Sequence, residues 1–188
     1  MATTKSKVKS SMQKKQERLP TQIYWAILPG IAALLLDQCM KVFTAQNLKP
    51  NQSLPILEQS WLRWTRVPNS GLIYQNFEMV YKPENALWTR YIPASVLVLM
   101  GFIFIKAIMQ APKNIVTSVI ALGFGLFWFS GASNVLSHFL SVFVDDTISA
   151  RFVWGGRFYT FNIADMGITL GMILVLAALL PRHKTESV

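Results

Sequence analysis

The residues best suited to chemistry in this sequence are three aspartates in or beside long apolar stretches. Asp37 interrupts the first stretch, Asp146 follows the third and Asp165 lies within the fourth. An ionisable side chain in an apolar span is costly, so each is a functional candidate. Two carboxyl groups pressed together cannot both ionise, so one keeps its proton while the other is a base. Such a pair can polarise a carbonyl and activate water without a covalent intermediate.

The three aspartates differ in their neighbours along the chain. Asp37 precedes Lys41 by four residues, which predicts a helix-end ion pair. Asp165 has no basic residue three or four positions away, so local pairing does not explain it. A proton or cation pathway would need acids spread across the depth of a bilayer, whereas we expect these acids at one face.

Other nucleophiles fit the sequence less well. Ser137 and His138, with the acids at 145–146, supply the residue types of a Ser/His/Asp triad, but adjacent helical residues point about 100° apart. Residues 131–133, Gly-Ala-Ser, lack the closing glycine of an intramembrane serine site. Cys39, the single cysteine, is a small apolar residue. The two histidines lie far apart and form no metal cluster, so we expect no metal and no other cofactor.

The composition places this chain in a membrane. Of its 188 residues, 52% are hydrophobic and 14% are charged, whereas soluble domains are roughly 25% charged. The apolar content excludes a disordered chain, and one cysteine excludes a disulfide scaffold. Charge-free stretches predict four transmembrane helices near 23–43, 88–109, 115–140 and 161–180. The predicted fold class is an all-α membrane protein with a small β-sheet on its outer side.

Positive charge predicts the orientation of these helices. The N-terminal tail, residues 1–22, holds six basic residues and one acid. With Lys106 at the inner end of the second helix counted, the inner segments carry ten basic residues, whereas the longer outer loops carry six. By the positive-inside rule, this tail and the C-terminal tail at 181–188 are both cytoplasmic. A nucleic-acid-binding arm is the alternative, but the tail lacks interleaved aromatic residues. We therefore expect it to contact membrane lipids and no nucleic acid.

The first outer loop, residues 44–87, is too long for a plain connection. Residues 61–67 alternate large apolar and polar side chains, which predicts a β-strand. Residues 68–71, Pro-Asn-Ser-Gly, predict a turn, and residues 72–74 predict a second strand. We expect a small amphipathic sheet, or cradle, on the outer membrane surface. The alternative is an irregular loop anchored by aromatic residues.

Four ordered segments resemble the signal peptidase II, or prolipoprotein signal peptidase, family. Residues 34–41, Leu-Leu-Leu-Asp-Gln-Cys-Met-Lys, resemble its first-helix motif, and residues 66–71, Arg-Val-Pro-Asn-Ser-Gly, resemble its turn after a periplasmic strand. Residues 143–146, Phe-Val-Asp-Asp, resemble its Val-Val-Asp segment. Residues 161–165, Phe-Asn-Ile-Ala-Asp, match its fourth-helix motif closely. The resemblance covers residues 23–180, which implies a four-helix, peptidase-like membrane domain.

This resemblance implies an intramembrane aspartyl endopeptidase that removes signal peptides just before a lipid-modified cysteine. Asp146 and Asp165 correspond to the catalytic pair, and the spacing from Asn134 favours Asp146 over Asp145. Seven residues fall on positions that bind substrate or support the site: Asp37, Lys41, Asn69, Gly71, Asn134, Asn162 and Ala164. The implied partner is a diacylglyceryl-modified prolipoprotein. The implied setting is the periplasmic face of a bacterial cytoplasmic (inner) membrane, with the enzyme a monomer.

The third helix departs from the family signature, Gly-Asn-Leu-(Phe/Ile)-Asp-Arg. Residues 133–138 read Ser-Asn-Val-Leu-Ser-His, so Ser137 and His138 stand where the family has an aspartate and an arginine. Losing both partners of an ion pair together leaves no unpaired buried charge. A divergent active protease is the leading hypothesis. The alternative is a catalytically inactive paralogue that binds lipoproteins or membrane partners.

Overall fold

The described part of the chain contains four long helices. A computed structural model describes residues 20–56, 61–69, 90–141, 143–151 and 158–180. The helices are α1 (Thr21–Asn47), α2 (Ile92–Gln110), α3 (Ile115–Leu140) and α4 (Ile163–Leu179). The first three are long and apolar enough to cross a membrane, with mean hydropathies of 1.6, 2.2 and 1.8. Except for residues 20–22, the two predicted tails lie outside the described residues.

The shortest helix, α4, has 17 residues and begins later than predicted. The prediction started this helix at residue 161, but residues Phe158–Phe161 form a β-strand. The sequence of that segment, Phe-Tyr-Thr-Phe, is rich in aromatic and β-branched side chains that favour a strand. Asn162 then caps the helix. The apolar stretch is thus continuous in sequence but changes its secondary structure at this asparagine.

A four-stranded antiparallel sheet is built from the two segments that connect α1 to α2 and α3 to α4. Its strands are β1 (Gln52–Pro55), β2 (Leu62–Asn69), β3 (Val144–Arg151) and β4 (Phe158–Phe161), in the order β1-β2-β3-β4. The strand predicted at residues 61–67 is confirmed for residues 62–67, which belong to β2. The prediction was wrong in placing the sheet in the first outer loop alone, because β3 and β4 come from the second connection. The sheet therefore joins two parts of the chain that are distant in sequence.

Strand β2 also continues into residues that were predicted to form a turn. Pro68 pairs with Asp145 of β3. Strand β1 pairs with β2 only as far as Arg66. Among the described residues, Pro68 therefore has a neighbouring strand on one side, and a proline is tolerated at such an edge. Gly71 and the second strand predicted at residues 72–74 lie outside the described residues.

The central helix of the described fold is α3, which packs against both α1 and α4. Glycines make this close packing possible. A Cβ atom at Gly125 would meet the backbone of Ala26 in α1, and one at Gly123 would meet the carbonyl oxygen of Gly171 in α4. Small residues at helix crossings let the backbones approach closely. This packing brings polar side chains of α1, α3 and α4 together near the sheet.

Candidate active site

The first turn of α4 fixes the position of Asp165. The side-chain oxygen of Asn162 accepts a hydrogen bond from the Asp165 backbone N–H at 2.9 Å. In return, Asp165 Oδ2 accepts a hydrogen bond from the Asn162 backbone N–H at 3.0 Å. This reciprocal arrangement is a capping box, and it satisfies two donors at the helix start. The short motif therefore begins the helix and sets the direction of the carboxylate at the same time.

Asp146 lies on β3 and is 2% exposed. Its Oδ2 atom accepts hydrogen bonds from Thr160 Oγ1 at 3.0 Å and from Asn69 Nδ2 at 3.3 Å. Its Oδ1 atom accepts a hydrogen bond from Asn162 Nδ2 at 3.4 Å. Asn162 therefore contacts both Asp146 and Asp165, and it holds the two carboxyl groups at one place between β3 and α4.

The electrostatic surroundings favour a protonated Asp146. Burial raises the pKa of this carboxyl above its usual 3.8, and the charge of Asp165 adds to the effect, so that the pKa reaches about 6. Hydrogen bonds from Thr160 and Asn69 act in the opposite direction and lower this pKa. A carboxyl group that keeps its proton in the mildly acidic range can serve as a hydrogen donor to a reacting atom.

The neighbouring acid, Asp145, has a different role. Arg66 Nε lies 3.3 Å from Asp145 Oδ2, so the two residues form an ion pair. The same guanidinium donates to the backbone oxygens of Ala45 and Leu48 at the end of α1. Successive residues of a strand face opposite sides of a sheet. The strand geometry therefore separates Asp145, which joins the sheet to α1, from Asp146, which faces Asp165.

Asp37 connects three helices. Lys41 Nζ lies 2.5 Å from Asp37 Oδ2, which confirms the predicted ion pair. The hydroxyl of Ser133 in α3 donates to the same oxygen at 2.7 Å. The backbone N–H of Ala164 in α4 donates to Asp37 Oδ1 at 2.9 Å. Asp37 is 1% exposed, so this carboxylate acts as a buried anchor for the first turn of α4.

Asn134 links this anchor to Asp165. Lys41 Nζ donates a hydrogen bond to Asn134 Oδ1 at 2.8 Å. Asn134 Nδ2 then donates to Asp165 Oδ1 at 3.0 Å. Both carboxylate oxygens of Asp165 therefore accept an N–H group, one from α3 and one from the α4 cap.

Eight of the nine site residues predicted from the sequence belong to one connected hydrogen-bond network. Gly71, the ninth, lies outside the described residues. The eight are Asp37, Lys41, Asn69, Asn134, Asp146, Asn162, Ala164 and Asp165.

Sequence reasoning missed four polar residues of this network. They are Gln38, Ser133, Ser137 and Thr160. A signal was present for Thr160, which lies two positions before Asn162 in a short segment of aromatic and β-branched residues. Ser133 and Ser137 lie four residues apart and share one face of α3. The network is therefore richer in hydroxyl groups than the aspartates alone suggested.

The contacts of Ser137 argue against a Ser/His/Asp triad. Its hydroxyl donates to the backbone oxygen of Ser133 at 3.0 Å and accepts from Lys41 Nζ at 3.2 Å. His138 is 4% exposed, and its Nδ1 atom has no hydrogen-bond partner in the described part of the chain. A base that activates a serine must accept the proton of that serine, and here the backbone accepts it.

A largely apolar groove of about 380 Å³ lies beside Asp165. It is formed by β4 and by one face of α4. The other lining residues are Tyr159, Thr160, Phe161, Met166, Thr169, Leu170 and Ile173. Asp165 and Thr160 belong to both the groove and the hydrogen-bond network, so an apolar chain in the groove would meet the Asp165 carboxyl group at one end.

Comparison with known proteins relates this arrangement to one family. A sequence model described as signal peptidase (SPase) II matches residues 30–181. The chain belongs to the signal peptidase II family. It is 29% identical to a lipoprotein signal peptidase of Acinetobacter baumannii strain ATCC 17978, over 84% of this chain and 83% of that protein. It is 27% identical to the lipoprotein signal peptidase of Hydrogenovibrio crunogenus, over 82% of this chain and 86% of that one.

The fold is similar to that of a solved membrane enzyme. The chain superposes on a bacterial membrane enzyme solved by the in meso method at 1.9 Å resolution, with a TM-score of 0.67. That pair shares 24% identity and aligns 85% of this chain with 92% of the enzyme. The match to the family model confirms the family resemblance inferred from the four sequence motifs. Signal peptidase II is a family of membrane proteases that process lipoproteins.

Proposed function

We propose that this protein is an aspartyl intramembrane endopeptidase that removes signal peptides from lipid-modified bacterial prolipoproteins. The observation that carries the proposal is the shared contact of Asn162. Its side-chain amide donates to Asp146 and its backbone N–H donates to Asp165. Two buried carboxyl groups held by one residue suit acid–base hydrolysis of a peptide bond. Membership of the signal peptidase II family supports the choice of substrate.

In this proposal Asp146 is the acid and Asp165 is the base. The pKa of Asp146 is raised to about 6, so this carboxyl holds its proton more readily than an exposed aspartate. Asp165 lies in the first turn of α4, where the helix dipole and two N–H donors stabilise negative charge. The two groups titrate as a coupled pair, and the assignment describes the reactive microstate.

The reaction then needs no covalent intermediate. Asp165 takes a proton from a water molecule, and the oxygen of that water attacks the scissile carbonyl carbon. At the same time Asp146 gives its proton to the carbonyl oxygen. When the tetrahedral intermediate collapses, the carbonyl forms again and that proton returns to Asp146. The C–N bond breaks, and the leaving amine takes the proton held by Asp165. Both aspartates end in the protonation states in which they started.

The groove beside Asp165 supports a membrane-embedded substrate. Its lining is mostly apolar, with Met166, Leu170 and Ile173 spaced along α4. Residues three or four apart share a helix face, so these side chains continue the groove away from the carboxyl groups. A diacylglyceryl-modified prolipoprotein presents apolar chain next to its cleavage site. We infer that this apolar part of the substrate enters the groove from the lipid side, which brings the scissile peptide bond to the aspartates.

We place the site at the periplasmic face of the bacterial inner membrane, with four spans and both termini in the cytoplasm. The excess of basic residues in the two predicted tails and in the α2–α3 link supports this orientation. The site residues are at the sheet end of the helix bundle, which this topology places outside. Anionic membrane lipids are the expected partners of the N-terminal tail. We propose that the active form is a monomer.

A second candidate function is that of an inactive paralogue that binds lipoproteins. The observation that favours an inactive paralogue is that Ser137 and His138 replace the aspartate and arginine of the family signature. The structure offers a counter-argument, because Ser137 hydrogen-bonds Lys41 and leaves no charge unpaired there. Crosslinking of a precursor without turnover would favour the inactive paralogue, and measurable turnover would exclude it.

The proposed roles predict a pH dependence. Because Asp146 must be protonated and has a pKa of about 6, we expect kcat/KM to fall as pH rises through about 6, with a limiting slope of about tenfold per unit. Initial rates across about pH 4–9 would measure this limb. A flat profile over the acidic and neutral range would contradict the dyad.

Thr160→Val provides a matched change to this profile. The hydroxyl of Thr160 lowers the pKa of Asp146 through its hydrogen bond, and valine has nearly the same shape without that donor. Asp146 should therefore keep its proton to higher pH in the variant, and the falling limb of kcat/KM should move to higher pH. A limb that moves to lower pH would show that the titrating group is not Asp146.

Complementation tests the proposal in cells. The full chain is produced in bacteria depleted of their own prolipoprotein signal peptidase, and a lipobox precursor is followed by immunoblotting. We expect the precursor to be converted to the mature size. Accumulated precursor, despite full-length protein in the membrane fraction, would count against the proposed activity and favour the inactive paralogue.

A further inference from the structure

The ammonium of Lys41 is fully occupied by acceptors from two helices. An ammonium group has three N–H donors. Three acceptors surround it: Asp37 Oδ2 at 2.5 Å, Asn134 Oδ1 at 2.8 Å and Ser137 Oγ at 3.2 Å. Lys41 is 6% exposed, so water has little room to replace one of them. The three contacts together define one orientation of this ammonium.

The hydroxyl of Ser137 is also fully used. A hydroxyl has one donor and two acceptor positions. Ser137 donates to the backbone oxygen of Ser133 and accepts from Lys41 Nζ and from Gln38 Nε2, the last at 3.1 Å. Gln38 also donates to the Ser133 hydroxyl at 2.7 Å, and that hydroxyl donates in turn to Asp37. Ser133, Ser137 and Gln38 therefore close a ring of hydrogen bonds around the Asp37–Lys41 pair.

Lys41, which this ring holds in place, determines which way the Asn134 amide points. Lysine can only donate, so the amide oxygen must face Lys41 and the NH₂ group must face Asp165. The distances agree, at 2.8 Å from Lys41 Nζ to Asn134 Oδ1 and 3.0 Å from Asn134 Nδ2 to Asp165 Oδ1. An ammonium that is free to turn would no longer hold this amide in one orientation. The hydroxyl of Ser137 is three bonds of the network away from Asp165.

We propose that Ser137, supported by Ser133 and Gln38, is a positioning residue for Asp165. It holds the Lys41 ammonium so that Asn134 presents its amide N–H to the carboxylate of Asp165. A neutral hydroxyl does this at a position where the family signature has an acid, so Lys41 keeps a single carboxylate partner, Asp37. The effect on rate rests on the proposed peptidase function, whereas the effect on the orientation of Asn134 does not.

The kinetic test compares Ser137→Ala with two other α3 variants in the full-length protein. Loss of one hydrogen bond to a charged group predicts that kcat falls about tenfold in Ser137→Ala. The value of KM should stay within about twofold, because Ser137 does not line the groove. Ser137→Thr keeps the hydroxyl and should restore most of kcat. Ser130→Ala is the matched control, since Ser130 Oγ is buried and has no hydrogen-bond partner among the described residues.

A second readout does not depend on cleavage. The side-chain amide of Asn134 is observed by ¹⁵N NMR of asparagine-labelled protein in micelles and is assigned with Asn134→Ala. We expect its resonances to shift in Ser137→Ala and to stay in place in Ser130→Ala. Correctly folded Ser137→Ala with unshifted Asn134 resonances would overturn the proposal, whatever its rate. Shifted resonances with an unchanged kcat would also overturn it.

The two readouts separate failure of this proposal from failure of the proposed function. If wild-type protein cleaves no precursor but the Asn134 amide shifts in Ser137→Ala, the positioning role stands and the peptidase function fails. If wild-type protein cleaves and Ser137→Ala changes neither kcat nor the amide, the function stands and the positioning role fails.

Discussion

Replacing Asp146 or Asp165 by asparagine is expected to reduce cleavage of a lipid-modified precursor by about 10²–10⁴-fold. Asparagine nearly preserves the shape of aspartate but cannot exchange a proton at these positions. Asp146→Asn removes the proposed acid, and Asp165→Asn removes the proposed base. Since the two groups act as one unit, the double variant should be little slower than either single one. Processing of a lipobox precursor in isolated membranes measures all three.

Asp145→Asn is the matched control for this result. It makes the same chemical change one residue away, on the side of β3 where the carboxylate pairs with Arg66. A partly exposed ion pair contributes little to stability, so we expect a rate within about threefold of wild type. If Asp145→Asn were as slow as Asp146→Asn, the choice between the two acids would be wrong. Unchanged cleavage by Asp146→Asn or by Asp165→Asn would exclude the aspartate pair as the catalytic groups.

Asp37→Ala is expected to lower the free energy of unfolding by about 3–5 kcal/mol, because it leaves a buried ammonium without its carboxylate. The side chains of Lys41 and Asp37 are 7% and 1% exposed. The same variant removes the acceptor of the Ala164 N–H, so the first turn of α4 should also loosen. The unfolding midpoint in detergent micelles, followed by circular dichroism, measures the loss.

The double variant Asp37→Ala/Lys41→Met tests whether the unpaired charge is the cause. It removes both charges and should be less destabilised than the sum of the two single variants, since neither partner remains buried alone. Arg66→Ala, which breaks the more exposed pair with Asp145, should shift the midpoint much less. An Asp37→Ala protein with the unfolding midpoint of wild type would contradict the anchoring role of Asp37.

The sequence predicted the helices well because charge is so scarce in them. Stretches without acidic or basic residues located α1, α2 and α3 to within a few residues. It predicted α4 less well, because an apolar aromatic segment can be strand or helix and pairing with β3 decides the outcome. Strand β3 escaped prediction because most of its residues are buried, including polar ones, so its sequence lacks the alternation of apolar and polar side chains that marks a strand.

The candidate site shows a similar division between local and distant contacts. The capping box from Asn162 to Asp165 is encoded within four residues, so a motif suffices to find it. The contacts of Ser137 depend on how α1 crosses α3, and that crossing depends on the glycines that let the backbones meet. The sequence motif therefore identified Ser137 only as a departure from the family signature. Its hydrogen bond with Lys41 is visible only in the structure.

Purified full-length protein and a synthetic lipobox peptide with a diacylglyceryl-modified cysteine provide the most direct test of the proposed activity. The products are identified by mass spectrometry, beside the same peptide without the lipid. We predict cleavage at the bond on the N-terminal side of the modified cysteine, in the lipidated peptide and not in the bare one. An intact lipidated peptide, or equal cleavage of both peptides, would contradict the proposed activity.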